Sequence, residues 1–234
     1  MGQLQRVRQN LYKIADMCHV FAVRGPNGVL LIDGGELSEF EAARANLLAA
    51  GLDMPQWVLT THCHYDHTES CRAWRDLGAK IAAHELEVGL IENGQATRGY
   101  PCPVDLRLRG DDDLDLLGLR IKAWHAPGHS RGSIAYEVPV DGERWLFTGD
   151  LVMPDLCPGW MGGFDRTETI ATLKKLARLC VNHIGTGHCI VEGDGTGMLV
   201  DSLAAAYDGT WRRCFIQRAS QFPGGTVPKS LVDN

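Results

Sequence analysis

The sequence predicts an α/β fold made of two halves that echo each other. Three observations lead there. Strand and helix signals alternate along the chain, the segment from Asn93 to Asp113 interrupts them without periodicity, and short apolar runs on both sides end in glycine, histidine or aspartate. At 234 residues and 44% hydrophobic content the chain can bury a substantial core, which suits one domain, residues 1–234, of two closely packed halves.

In the first half, Val20 to Val23 and Val29 to Ile32 read as a hairpin around Arg24-Gly25-Pro26-Asn27-Gly28. A helix from about Ser38 to Ala50 follows, with Ser38 and Glu41 as a capping box, Phe40, Leu47 and Leu48 as apolar positions and Gly51 as its stop. Trp57 to Thr60 is a strand, Glu69 to Leu77 a helix closed by Gly78, Lys80 to Ala83 a strand and Glu85 to Glu92 a short helix. Asn93 to Asp113, rich in glycine, proline and charge, reads as a long surface loop or lid marking the boundary between halves. The second half continues with strands Leu119 to Trp124, Ser133 to Val138 and Trp145 to Thr148. A helix from about Thr167 to Leu179, a short strand ending at Ile184 and a last helix around Met198 to Ala219 complete it.

Composition narrows the function. A net charge of −6 without long basic runs offers no footprint for nucleic acid. No run approaches the eighteen or so apolar residues of a membrane span, and the first residues lack an apolar leader, so a cytoplasmic protein acting on a small molecule is expected. Eight scattered cysteines without a C-x-x-C pair read as reduced thiols, most of them small buried side chains, with Cys63 and Cys189 set beside histidines. Oligomeric state leaves no mark in the sequence.

The densest chemistry is Thr61-His62-Cys63-His64-Tyr65-Asp66-His67, three imidazoles and a carboxylate directly after the strand Trp57 to Thr60. Imidazole and carboxylate suit zinc, and alternation in an extended loop points His62 and His64 toward one ion, leaving Asp66 and His67 for a second. Three more strand ends carry Gly128-His129, Gly149-Asp150 and Gly187-His188, where glycine permits a sharp exit toward a common centre. His19, His84, His125 and His183 read as packing residues, His84 and His125 being the two nearest to bordering the site. Ser130 and Ser133 lack the G-x-S-x-G elbow of a nucleophilic serine.

The ordered set H-x-H-x-D-H, P-G-H, G-D, G-H, together with Leu30-Leu31-Ile32-Asp33-Gly34-Gly35, resembles the metallo-β-lactamase superfamily over nearly the whole chain. The resemblance implies an αβ/βα four-layer sandwich, two mixed β-sheets face to face with helices on the outside and metals at one edge of the sheets. It assigns His62, His64 and His129 to one ion, Asp66, His67 and His188 to the other, Asp150 as the bridging carboxylate, and Asp33 as a hydrogen-bonding support of the metal loop. Two zinc ions are the expected cofactors, with iron or manganese compatible with the same ligands. Such a pair, roughly 3.5 Å apart, holds a bridging hydroxide at neutral pH and polarises a carbonyl or phosphoryl oxygen, so hydrolysis is the expected reaction. Asp66 is a ligand that can also orient the nucleophile or accept its proton.

A bridging aspartate resembles the glyoxalase II, lactonase and phosphodiesterase branches more than the zinc β-lactamases. The segment after Asp150 lacks the Gly-Cys-Gly-Arg signature of glyoxalase II and of persulfide dioxygenases, and Met153 stands near the place of the tyrosine of acyl-homoserine lactonases. The leading expectation is hydrolysis of an ester, thioester or lactone. A phosphodiesterase, a mono-iron persulfide dioxygenase-like enzyme and a β-lactamase are the alternatives. Met153, Trp160, Met161 and Phe164, amid glycines, are expected to form an adaptable apolar wall for the substrate.

Overall fold

The computed structural model describes residues 4–14, 18–152 and 165–208. The four expected substrate-wall residues Met153, Trp160, Met161 and Phe164 lie outside them. A seven-stranded sheet comprises β1 (Leu4–Arg8), β2 (Leu11–Ile14), β3 (Val20–Gly25), β4 (Gly28–Ile32), β5 (Trp57–Leu59), β6 (Lys80–His84) and β7 (Leu106–Leu108), in that spatial order. Its first four strands are antiparallel and β4 to β7 run parallel. A six-stranded sheet takes β8 (Asp112–Leu116), β9 (Leu119–His125), β10 (Ile134–Val140), β11 (Glu143–Gly149), β12 (His183–Thr186) and β13 (Ile190–Val191) in the order β13-β12-β11-β10-β9-β8, with only β11 and β12 parallel.

In the central strands β3 and β4, residues alternate between two buried faces, so these strands read as nearly unbroken apolar runs. In β3 and β4, Phe21, Val23, Leu30 and Ile32 face the other sheet and meet Ile121, Tyr136, Trp145 and Phe147. Their neighbours Val20, Ala22, Val29 and Leu31 face outward, against α1 (Phe40–Ala49), α3 (Cys71–Asp76) and α4 (Glu85–Glu92) through Phe40, Leu47, Trp74, Val88 and Ile91. Outward-facing Ala135, Leu146 and Ile184 of the second sheet meet α5 (Arg166–Leu176) and α6 (Gly195–Asp208) through Leu173, Leu176, Leu199 and Ala206. Three apolar layers between four structural layers are the αβ/βα sandwich. Phe21 and Phe147, ring centroids 4.9 Å apart, lock its middle layer.

Connectivity fixes where chemistry collects. Strands β4, β5 and β6 are parallel. In the second sheet β9 is antiparallel to β10, and β10 to β11, so β9, β11 and β12 share a direction. The C-terminal ends of these strands lead to Asp33, the His62 loop, His129, Asp150 and His188. Tyr136 Oη donates to the Thr60 carbonyl at 2.9 Å, and Ile134 N to the Thr61 carbonyl at 2.7 Å, tying the two sheets together beside these ends.

The structure differs from several sequence expectations. Ser38 lies in a 3-10 turn, Leu37–Glu39, so Glu39 and not Ser38 is the N-cap of α1 and the capping box does not form; Glu69 Oε2 accepts from Leu37 N at 3.0 Å. The helix expected from Glu69 to Leu77 is α3, starting at Cys71 because Ser70 bonds outward to the carbonyls of Gly35 and Glu36, and a separate short helix, α2 (Tyr65–Thr68), precedes it. Asn93 to Asp113 is not all loop: β7 pairs with β6, and β8 begins at Asp112. Strand β12 continues past Ile184 to Thr186, and β1 and β2 were unanticipated.

Candidate metal centre

Strand β5 leads into a loop that bends at Thr61 and His62 and is extended again at His64, and α2 then turns Asp66 and His67 inward, 9% and 0% exposed. His62 Nε2 and His64 Nδ1 approach to 3.0 Å. His129 Nε2, arriving from β9, stands 3.2 Å from the first and 2.9 Å from the second. A neutral imidazole offers one donor and one lone pair, so three nitrogens this close cannot all satisfy one another. A cation between them can.

A second group forms from Asp66, His67, Asp150 and His188, whose ligand atoms all lie within 4.8 Å of one another. His67 Nε2 is 3.3 Å from Asp150 Oδ1 and 3.6 Å from Asp66 Oδ2. His188 Nε2 is 3.3 Å from Asp150 Oδ2, and that same oxygen is 3.9 Å from His129 Nε2 in the first group. Asp150 therefore stands between the two groups. Glycine is required beside it: Gly149 has φ +52°, and a Cβ on it would come 2.8 Å from the Thr61 Cβ. A Cβ on Gly187 would come 2.8 Å from the His67 ring.

Asp33, at φ +64° and 2% exposed, accepts from Thr61 N at 2.7 Å and from Thr61 Oγ1. Its Oδ2 also lies 2.9 Å from His67 Nδ1, placed to accept a hydrogen bond from it, so Nε2 is the ring nitrogen that faces the centre. Cys18 Sγ lies 3.2 Å from the same Nδ1, a neighbour that no spacing in the sequence announced.

Burial and the adjacent His129 and His67 push the His64 pKa down to about 4, and burial with His67 and His129 holds His62 well below the ordinary imidazole value. Both rings are neutral at pH 7, as ligands must be. Burial opposes ionisation of Asp150, but His67 and His188 outweigh it and keep its carboxyl well below the usual carboxylate range. His67 Nε2 and Asp150 Oδ1, buried 3.3 Å apart, face each other without a well-aligned hydrogen bond. Native interiors rarely leave such atoms bare, so nitrogen and oxygen donors converging with unmet valence fit a divalent ion.

His84 and His125 stack on each other, 4.2 Å between centroids and 10° between planes, instead of joining either group. Ser130 and Ser133 bond to each other, and Ser130 Oγ donates to Glu87, a buried acid that no motif singles out. Among the described residues no disulfide forms, and no helix is long and apolar enough to cross a membrane.

Residues 14–188 match the family model of the metallo-β-lactamase superfamily. Hydroxyacylglutathione hydrolase of Albidiferax ferrireducens is 30% identical over 171 residues, which are 70% of this chain, and the chain spans 61% of that relative's length. Acyl-coenzyme A thioesterase MBLAC2 of Gallus gallus is 27% identical over 206 residues, 74% of this chain and 71% of that protein. Among solved structures, a metallo-β-lactamase of Cronobacter sakazakii superposes with a TM-score of 0.75 at 17% identity, covering 91% of this chain and 95% of that one, a likeness of fold alone. With three quarters of its length inside the family model and all the strand-end motifs in place, the chain belongs to the metallo-β-lactamase superfamily.

Proposed function

We propose that the protein is a dinuclear metallohydrolase that cleaves thioesters. The observation that carries this reading is Asp150, whose two oxygens lie 3.3 Å from His67 Nε2 and from His188 Nε2, one of them also 3.9 Å from His129 Nε2. A carboxylate in that place can serve both ligand groups at once.

In this reading His62, His64 and His129 would hold one ion, Asp66, His67 and His188 would hold the other, and Asp150 would be shared between them. Divalent ions there, zinc by donor chemistry with iron or manganese as substitutes, would supply Lewis acidity toward the scissile carbonyl and activate water at neutral pH. Asp66, 13% exposed at its side chain, has an oxygen to spare for orienting the nucleophile or taking its proton. Asp33 holds the His67 tautomer that ligation needs. Thioesters are favoured over the other bonds that such a centre can cleave because the two relatives above are named for hydroxyacylglutathione and acyl-coenzyme A hydrolysis.

The test is a panel on the zinc-loaded protein: S-lactoylglutathione, short and medium acyl-coenzyme A thioesters, p-nitrophenyl acetate, an acyl-homoserine lactone and bis-p-nitrophenyl phosphate, with released thiol or nitrophenol recorded. A thioester should show the highest kcat/KM, by roughly tenfold or more, about 1.4 kcal/mol of transition-state stabilisation. A lead for the phosphodiester or the lactone overturns the substrate class, and iron-dependent oxygen consumption on a persulfide overturns hydrolysis.

A further inference from the structure

Glu87 sits on α4 yet is 4% exposed, on an element that Val88 and Ile91 already anchor in the core. An acid so placed is costly unless several donors reach it. They do: Gly132 N donates to its Oε1 at 3.0 Å, and Ser130 Oγ donates to the same oxygen. Ser133 Oγ braces Ser130 from behind, 2.7 Å from its Oγ and accepting from its N at 3.1 Å. Cys63 adds hydrogen bonds from its thiol and its main chain. The approach is close enough that a Cβ on Gly132 would stand 2.5 Å from Glu87 Cγ.

The identity of these partners is informative. Cys63 lies between His62 and His64, and Ser130 directly follows His129. The first loop leaves the seven-stranded sheet and the second leaves the six-stranded sheet. One side chain from a third element thus grips both loops that deliver the three imidazoles.

We propose that Glu87 is a positioning residue for the three-histidine half of the centre, fixing Cys63 against Ser130 and thereby the separation of His62 and His64 from His129. This rests on the metal reading above. Losing the carboxylate weakens the ion held by His62, His64 and His129 and leaves the ion held by Asp66, His67 and His188 in place.

The experiment titrates metal-free wild type, Glu87→Ala, Glu87→Gln and Thr196→Val with Co2+ against a chromophoric chelator, recording the d–d absorption of bound cobalt and the Tm of each protein. Thr196, which donates to the Leu179 and Val181 carbonyls near the start of β12, is the purely structural control. Wild type should take two ions. Glu87→Ala should lose about 10- to 100-fold in affinity for one ion, with its absorption altered, and that ion should be the one that His64→Ala removes. Glu87→Gln, which keeps an acceptor for Gly132 N and Ser130 Oγ, should recover most of the loss, and Thr196→Val should lower Tm with both affinities intact. Should Glu87→Ala not fold, Glu87→Asp, one methylene short, takes its place with the same expected one-ion weakening. Unchanged affinities in the Glu87 variants, an equal fall for both ions, or a matching fall in Thr196→Val overturns the positioning role and leaves the metal centre standing. A wild type that takes no ion sinks the metal reading first.

Discussion

His62 and His64 meet each other and His129 ring to ring, whereas His67 and His188 meet carboxylates at 3.3 Å. Burial and mutual proximity lower the pKa values of His62 and His64. For His67 and His188 burial acts the same way but is outweighed, by Cys18, Asp33 and Asp150 in the first and by Asp150 in the second, so both are raised. The difference teaches an order of assembly. In the proposed reading, ligation by His62 and His64 would need no proton release from those two rings at neutral pH, whereas ligation by His67 and His188 would release protons. Asp150 belongs to the second group and also stands 3.9 Å from His129 Nε2 of the first, which makes it the place where the comparison breaks most visibly.

Replacing Asp150 with alanine should carry the largest effect: turnover on the best thioester falls on the order of a thousandfold, about the loss seen when a principal electrostatic group leaves an active site. Activity near wild type would remove the bridging role. Next, His64→Ala and His188→Ala should each bring the metal content from two ions to one, and the retained ions should differ in spectrum when cobalt replaces zinc. Identical residual spectra would mean that the two groups are not separate sites. Asp33→Asn should then cost about 10- to 100-fold in affinity for the ion at His67 alone, through loss of the charge that holds the Nδ1 proton.

The smallest effect is in pH dependence. In the metal-free protein His62 and His64 have depressed values, so unfolded chains bind protons that folded chains refuse, and stability falls as pH drops below about 6.5. His67 and His188 have raised values, so the stability that they contribute is present below that pH and lost as pH rises through their folded-state pKa values. Tm of the metal-free protein should therefore peak near pH 6.5, and affinity for the second ion should fall more steeply on acidification than affinity for the first. Equal slopes for the two ions would dissolve the contrast.

The two halves were not equally legible. The first half packs His62, His64, Asp66 and His67 into one loop, a density that chance rarely produces, and α4 begins and ends where its residues suggest, Glu85–Glu92. The second half contributes His129, Asp150 and His188 singly, each marked only by a preceding glycine and the apolar strand before it. What escaped the sequence depends on packing across the fold. The N-terminal strands β1 and β2 are short, and β1 is half exposed, so their pattern is weak until β3 pairs with them. Glu87 looks like a solvent-facing helix position, and in fact Leu86 and Leu90 are the exposed ones, 52% and 36%. Cys18 comes within reach of His67 only because β3 and the metal loop share an edge.

The most direct measurement is anomalous diffraction at the zinc edge from crystals of the zinc-loaded protein. The account predicts two peaks per chain roughly 3.5 Å apart, one within coordination distance of His62, His64 and His129, the other of Asp66, His67 and His188, with Asp150 reaching both. A single peak, or two peaks with Asp150 bound to neither, would contradict it.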